Sequence, residues 1–93
     1  MIRHICMFKL KDKADLPAVL ARTVTLEEIP QIRSFLVVTN DSRTPEKNYD
    51  LSLIFDFDSV ADLDIYRDSA AHQAFRAFIT PLRDLRACID YEF

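Results

Sequence analysis

The sequence predicts an α+β fold of ferredoxin-like type, β-α-β-β-α-β, in which a four-stranded antiparallel sheet carries its helices on one face. Three observations predict it. Four segments read as strands, the third and fourth alternating with a period of two, two intervening segments repeat apolar residues at helical spacing, and the first strand is apolar on both faces at its centre.

Ile2 to Leu10 reads as that first strand, with Ile2, His4, Cys6, Phe8 and Leu10 on one face and Arg3, Ile5, Met7 and Lys9 on the other. A strand apolar on both sides belongs in the interior of its sheet, and that sheet needs a cover on each side. Asp15 is placed to cap a helix over about Leu16 to Glu28, with Pro17 in its first turn and Pro30 stopping it. Ile32 to Thr39 follows as a strand, with Phe35 and Val37 opposing Leu36 and Val38. The polar stretch from Asn40 to Asn48 reads as a long hairpin connection. Tyr49 to Phe57 then alternates strongly, with Tyr49, Leu51, Leu53, Phe55 and Phe57 facing the core.

Ser59, with Asp62 three residues later, marks a helix start, and Val60, Leu63 and Tyr66 follow on one stripe. Arg67-Asp68-Ser69 interrupts the stripe. Ser69 can cap a second helical piece in which His72, Phe75, Ile79 and Leu82 share a face, with Pro81 ending its regular part. Arg86 to Phe93 closes the chain as a strand. Residues 1–93 are expected to form a single domain.

The composition narrows the function classes. Fifteen acidic residues stand against twelve scattered basic ones, which leaves no electrostatic footprint for nucleic acid or anionic membrane. No apolar run approaches the ~20 residues that cross a bilayer, and no signal peptide is recognisable, so a cytoplasmic location is expected. Glycine is absent, which excludes Gly-rich phosphate loops and makes Asn40-Asp41 and Asn48 the expected sites of any positive-φ turn. Cys6 and Cys88 have no metal-type spacing and are expected to be free thiols, a bridge between adjacent strands being the alternative. On strands, burial should keep both protonated and inert. No metal site and no cofactor are expected. Helices covering one side of the sheet leave Ile5, Met7 and apolar residues of the second strand on an open face, and a second copy packing sheet to sheet is the simplest cover.

Several of these residues resemble the stress-responsive dimeric α/β-barrel family, known as Dabb: Ile2-Arg3-His4-Ile5 running to Met7-Phe8-Lys9-Leu10-Lys11-Asp12, Ile29-Pro30, Tyr49 to Phe57 with Ser59, Tyr66 followed by His72, and Ile89-Asp90-Tyr91. The resemblance covers nearly the whole chain. It implies a homodimer whose sheets form a barrel, with a small-molecule pocket between sheet and helices. A plant member, olivetolic acid cyclase, closes a polyketide ring without a cofactor, using a histidine and a tyrosine. That implies catalytic roles for His72 and Tyr66 and a pocket role for His4. Gln31 stands where many members have glycine, Ser69-Ala70-Ala71 replaces a His-Pro turn, and Leu51 replaces a pocket histidine of the cyclase.

The residues themselves support two readings of this site. On the apolar stripe, His72 is either a core histidine satisfied internally or a general base, its imidazole titrating near neutrality. Tyr66 is either a packing residue or a donor to a substrate carbonyl. His4, Phe8, Leu51, Leu53, Phe75 and Ile79 are core residues first and the expected lining of a pocket for a small apolar or aromatic ligand second. Cofactor-free acid–base chemistry of cyclase or isomerase type on a carbonyl compound is one expectation, and a non-catalytic dimeric binding protein is the other.

Overall fold

The structure is a computed structural model that describes residues 1–93. Strand β1 (Ile2–Leu10) is followed by a short 3-10 turn and helix α1 (Leu16–Thr23), then strands β2 (Ser34–Thr39) and β3 (Leu51–Phe57). Helices α2 (Val60–Asp68) and α3 (Ala70–Ile79) lead into β4 (Arg83–Glu92). The strands pair antiparallel in the order β2-β3-β1-β4, so β1 and β3 are central. This is the ferredoxin-like arrangement expected from the sequence.

The alternation of β1 becomes alternating burial, with every even-numbered residue from Ile2 to Leu10 buried. Their side chains meet Leu51, Leu53, Phe55 and Phe57 beneath the helices, where Val19, Leu26, Leu63, Phe75 and Ile79 complete the core. At its centre the Phe55 ring stacks on Phe35, with centroids 4.5 Å apart, and leans on Tyr66 at 4.9 Å. The opposite sheet face carries Ile5, Met7 and Ile54 at half-burial, and its outer strands expose Leu36, Val38, Leu85, Ile89 and Tyr91. A bidentate pair between Arg3 and Asp56, at 2.8 and 3.0 Å, spans the two central strands on that face and holds the Asp56 carboxyl below the usual range.

Local details correct the sequence reading. The α-helix expected to reach Glu28 ends at Thr23, and Val24 to Glu28 continue as a 3-10 helix. Thr23, Val24 and Thr25 are β-branched and favour the α-helix less than straight side chains do, and the Thr23 and Thr25 hydroxyls bond carbonyls three residues back. Asp15 makes no capping bond; Asp12 accepts from the Ala14 N–H at 2.9 Å, one 3-10 turn earlier. The second strand starts at Ser34 and the last at Arg83 rather than at the expected residues.

No residue has a positive φ. The 40–50 connection is made instead with Asx chemistry: Asp41 Oδ1 accepts from the Arg43 N–H at 2.8 Å, and Thr44 N–H donates to the Asp41 carbonyl at 3.0 Å. Asp50 is buried. Its carboxylate accepts from the Leu10 N–H at 2.7 Å and from Lys9 Nζ at 3.3 Å, tying the end of the loop to β1. Ser59 and Ser69 cap α2 and α3 as expected, accepting from the Asp62 and His72 N–H groups at 3.2 Å each.

Truncating Phe55, which is fully buried, removes the hub of the aromatic cluster. Phe55→Ala is expected to cost about 3–5 kcal/mol of folding stability, read as a lowered urea midpoint.

Candidate functional site

The break between α2 and α3 exists because Ser69 is both the C-cap of one helix and the N-cap of the next. Its hydroxyl donates to the Tyr66 carbonyl at 2.7 Å while accepting from the His72 N–H. This turn brings two side chains six positions apart against each other, with the Tyr66 and His72 ring centroids 4.7 Å apart.

The orientation of His72 follows from its partner. Nδ1 lies 2.9 Å from the Arg67 carbonyl, which can only accept, so the proton of the neutral ring sits on Nδ1 and the lone pair on Nε2. Burial holds the His72 pKa below its ordinary value, further than the carbonyl raises it. A neutral imidazole with a free Nε2 is the form a general base needs. Tyr66 is 2 % exposed, and burial holds its phenol proton well above the usual range, so at neutral pH it can donate a hydrogen bond but not act as a base. Arg67, Arg86 and the two thiols are near enough to act on that proton.

A cavity of about 440 Å³ lies between α3 and the inner face of β4. Its apolar wall is Phe8, Phe75 and Ile79, and His72 faces it beside Gln73 and Thr80. Four arginines, Arg67, Arg76, Arg83 and Arg86, line it against a single carboxylate, Asp68. Arg67 is committed, with its guanidinium 2.8 Å from Asp90 and 3.7 Å from Asp64, whereas the other three have no ion-pair partner. Of the pocket residues expected from the sequence, Phe8, Phe75, Ile79 and His72 come together on this wall. Leu51 and Leu53 lie within the core, and Tyr66 packs behind His72. The arginines were not singled out in the sequence, where they appear as scattered charges on α2, α3 and β4.

His4 is buried and sits off the cavity wall. Its Nδ1 lies 2.5 Å from Asp90, whose other oxygen holds Arg67. Burial outweighs Asp90 and leaves the His4 pKa below its ordinary value, so the neutral ring donates its Nδ1 proton to the carboxylate. Next to it on β1 is Cys6, with Cys88 directly opposite on β4. The donor atoms of His4, Cys6 and Cys88 lie within 4.8 Å of one another. The two sulfurs are 2.7 Å apart, closer than the ~3.8 Å between tetrahedral ligands held at about 2.3 Å from one zinc ion. The expectation that both cysteines are buried fails at Cys88, which is exposed because β4 is an edge strand.

Both histidines bind protons less readily in the folded chain than in the unfolded one, so stability present above pH 6.5 is lost as pH falls below it. NMR titration should place both imidazole midpoints below that value. Urea midpoints should fall between pH 7.5 and 5.5, and less so in His72→Gln.

The stress-responsive A/B barrel domain family model matches residues 2–93. No curated protein matches the chain at a significant level. Among solved structures, a dimeric ferredoxin-like protein from Thermobifida fusca is similar, with a TM-score of 0.88 at 24% identity, covering 99% of this chain and 90% of that one. A dimeric protein of ferredoxin-like fold from Bacteroides fragilis has a TM-score of 0.77 at 27% identity, covering 99% and 95% of the two chains. The hydroxynitrile lyase of Passiflora edulis is similar at a TM-score of 0.80 and 18% identity, covering 97% and 90%. With the family match running nearly from end to end, the chain belongs to the stress-responsive A/B barrel domain family, Dabb.

Proposed function

We propose that the protein is a homodimer whose subunits each bind a small, partly apolar carbonyl compound carrying an anionic group, and that His72 acts on it as a general base without a cofactor. The observation that carries this reading is the cavity wall, where the imidazole stands between an apolar surface and three unpaired guanidiniums. Phe8, Phe75 and Ile79 would take the apolar part of the ligand, and Arg76, Arg83 and Arg86 its carboxylate or phosphate. His72 Nε2 would remove a proton α to the carbonyl, and Tyr66, packed behind the imidazole and off the cavity wall, would hold that ring in place. His4 supports the site indirectly, through Asp90 and Arg67. A hydroxynitrile lyase built on the same fold is consistent with lyase-type chemistry.

The dimer rests on the open sheet face. Ile89 is 60% exposed there, paired with Ile5 and on the same face of β4 as Leu85 and Tyr91, while Leu36 and Val38 are exposed on the opposite edge strand, β2. A second copy packing face to face would cover these residues as helices cover the other side, and two similar proteins are dimeric. Sedimentation equilibrium at micromolar concentration should give a dimer, and Ile89→Asp should shift it to monomer. A wild-type monomer would remove this part of the reading.

The chemistry is tested with an aromatic 4-oxo acid and its methyl ester. The acid should raise Tm by about 4 °C or more near saturation, the ester should not, and Arg86→Met should lose most of the shift. In deuterium oxide the wild type should speed exchange of the α protons, and His72→Ala should lower that rate about 100-fold or more. Binding without exchange would make the cavity a non-catalytic ligand site, and no binding of either compound would refute the proposal.

A further inference from the structure

The sulfurs of Cys6 and Cys88 have no part in the chemistry above, and the sheet places them together for a reason that can be traced bond by bond. Met1 and Phe93 exchange both backbone hydrogen bonds, at 3.1 and 3.0 Å, which makes them a hydrogen-bonded pair at the start of the β1–β4 ladder. Pair types alternate along an antiparallel ladder, so Ile2 with Glu92, His4 with Asp90, and Cys6 with Cys88 are non-hydrogen-bonded pairs. Cα atoms in such pairs lie about 4.5 Å apart, within the ~4.4–6.8 Å range that a disulfide spans. Both side chains point to the helix side of the sheet, and the sulfurs stand 2.7 Å apart, so about 0.7 Å of approach separates them from a bond of about 2.05 Å.

We propose that Cys6 and Cys88 are a peroxide-reactive dithiol that closes to a cross-strand disulfide, with Cys88 as the attacking sulfur and Cys6 as the resolving one. The roles follow from position. Cys88 lies on an edge strand and is exposed, whereas Cys6 on central β1 is buried. The partnership with Cys6, with the Arg86 and Arg67 guanidiniums adding to it, lowers the pKa of the Cys88 thiol from its ordinary value and favours thiolate on the exposed sulfur. The same partnership and burial hold the proton on Cys6.

In the first step the Cys88 thiolate attacks one oxygen of hydrogen peroxide, the O–O bond breaks, and the leaving hydroxide takes a proton to become water. Cys88 is then a sulfenic acid. Cys6 next gives up its proton and attacks the Cys88 sulfur; the S–S bond forms, the S–O bond breaks, and the oxygen leaves as a second water. Two thiols and one peroxide thus yield one disulfide and two waters. The strand register already holds the resolving sulfur beside the attacked one.

The full-length chain treated with hydrogen peroxide, quenched with N-ethylmaleimide and analysed by intact mass and peptide mapping tests the proposal. Wild type should lose two hydrogens, carry no maleimide and yield a Cys6–Cys88 linked peptide that dithiothreitol separates. Cys6→Ser and Cys6→Ala should each stop at a sulfenic acid on Cys88, trapped by dimedone, and Cys88→Ser should leave Cys6 a free thiol. Before oxidation, Cys88 should alkylate about tenfold faster than Cys6 at pH 7. Maleimide on both cysteines after peroxide, or a bridge between two chains, would overturn the proposal. So would stoichiometric zinc binding that protects both thiols from peroxide. The wild-type result stands without the variants, should either Cys6 substitution prevent folding.

Discussion

The site depends on the register between β1 and β4. In a run of three non-hydrogen-bonded pairs, the strands set His4 against Asp90, Cys6 against Cys88 and Phe8 against Arg86, all on the helix side of the sheet. With β1 held by its buried face, a slip of one residue would turn the three β4 side chains to the other face. One ladder therefore fixes the buried histidine with its carboxylate, the paired sulfurs, and the junction of apolar wall and guanidinium that begins the cavity. The register is itself pinned by core burial, because the β1 face that carries His4, Cys6 and Phe8 also carries Ile2 and Leu10.

The helices contribute the second half of the site through a single serine. If α2 and α3 ran on as one straight helix, Tyr66 and His72 would be nearly two turns apart along its axis. The break at Ser69 folds the second piece back, so that a phenol and an imidazole touch. The same turn frees the Arg67 carbonyl, which then fixes the proton of His72 on Nδ1. Capping, usually regarded as a matter of helix stability, here decides which imidazole nitrogen is basic.

Period-two and helical-period patterns made the sheet faces, the central place of β1 and the Ser69 cap legible in the sequence, since each depends on residues close together along the chain. The proximity of Tyr66 and His72 was legible for the same reason. The basic character of the cavity was not. The chain carries a net charge of −3, and its arginines are dispersed along the sequence and converge only where α3 and β4 lie side by side. The exposure of Cys88 was missed because the expected burial rested on its being a strand residue and not on the place of β4 at the edge of the sheet. Asp50 proves to be the buried partner of a backbone N–H forty positions away. In each case the deciding contact is long-range.

The glycine-free backbone keeps every φ negative, turns included. No position is then reserved for a residue without a Cβ, and backbone geometry by itself bars no side chain other than proline from any site. Divergence among homologues of this scaffold would be limited by what neighbouring side chains tolerate rather than by the path of the main chain. Such a frame leaves the cavity wall free to change its chemistry while the sheet beneath it stays the same.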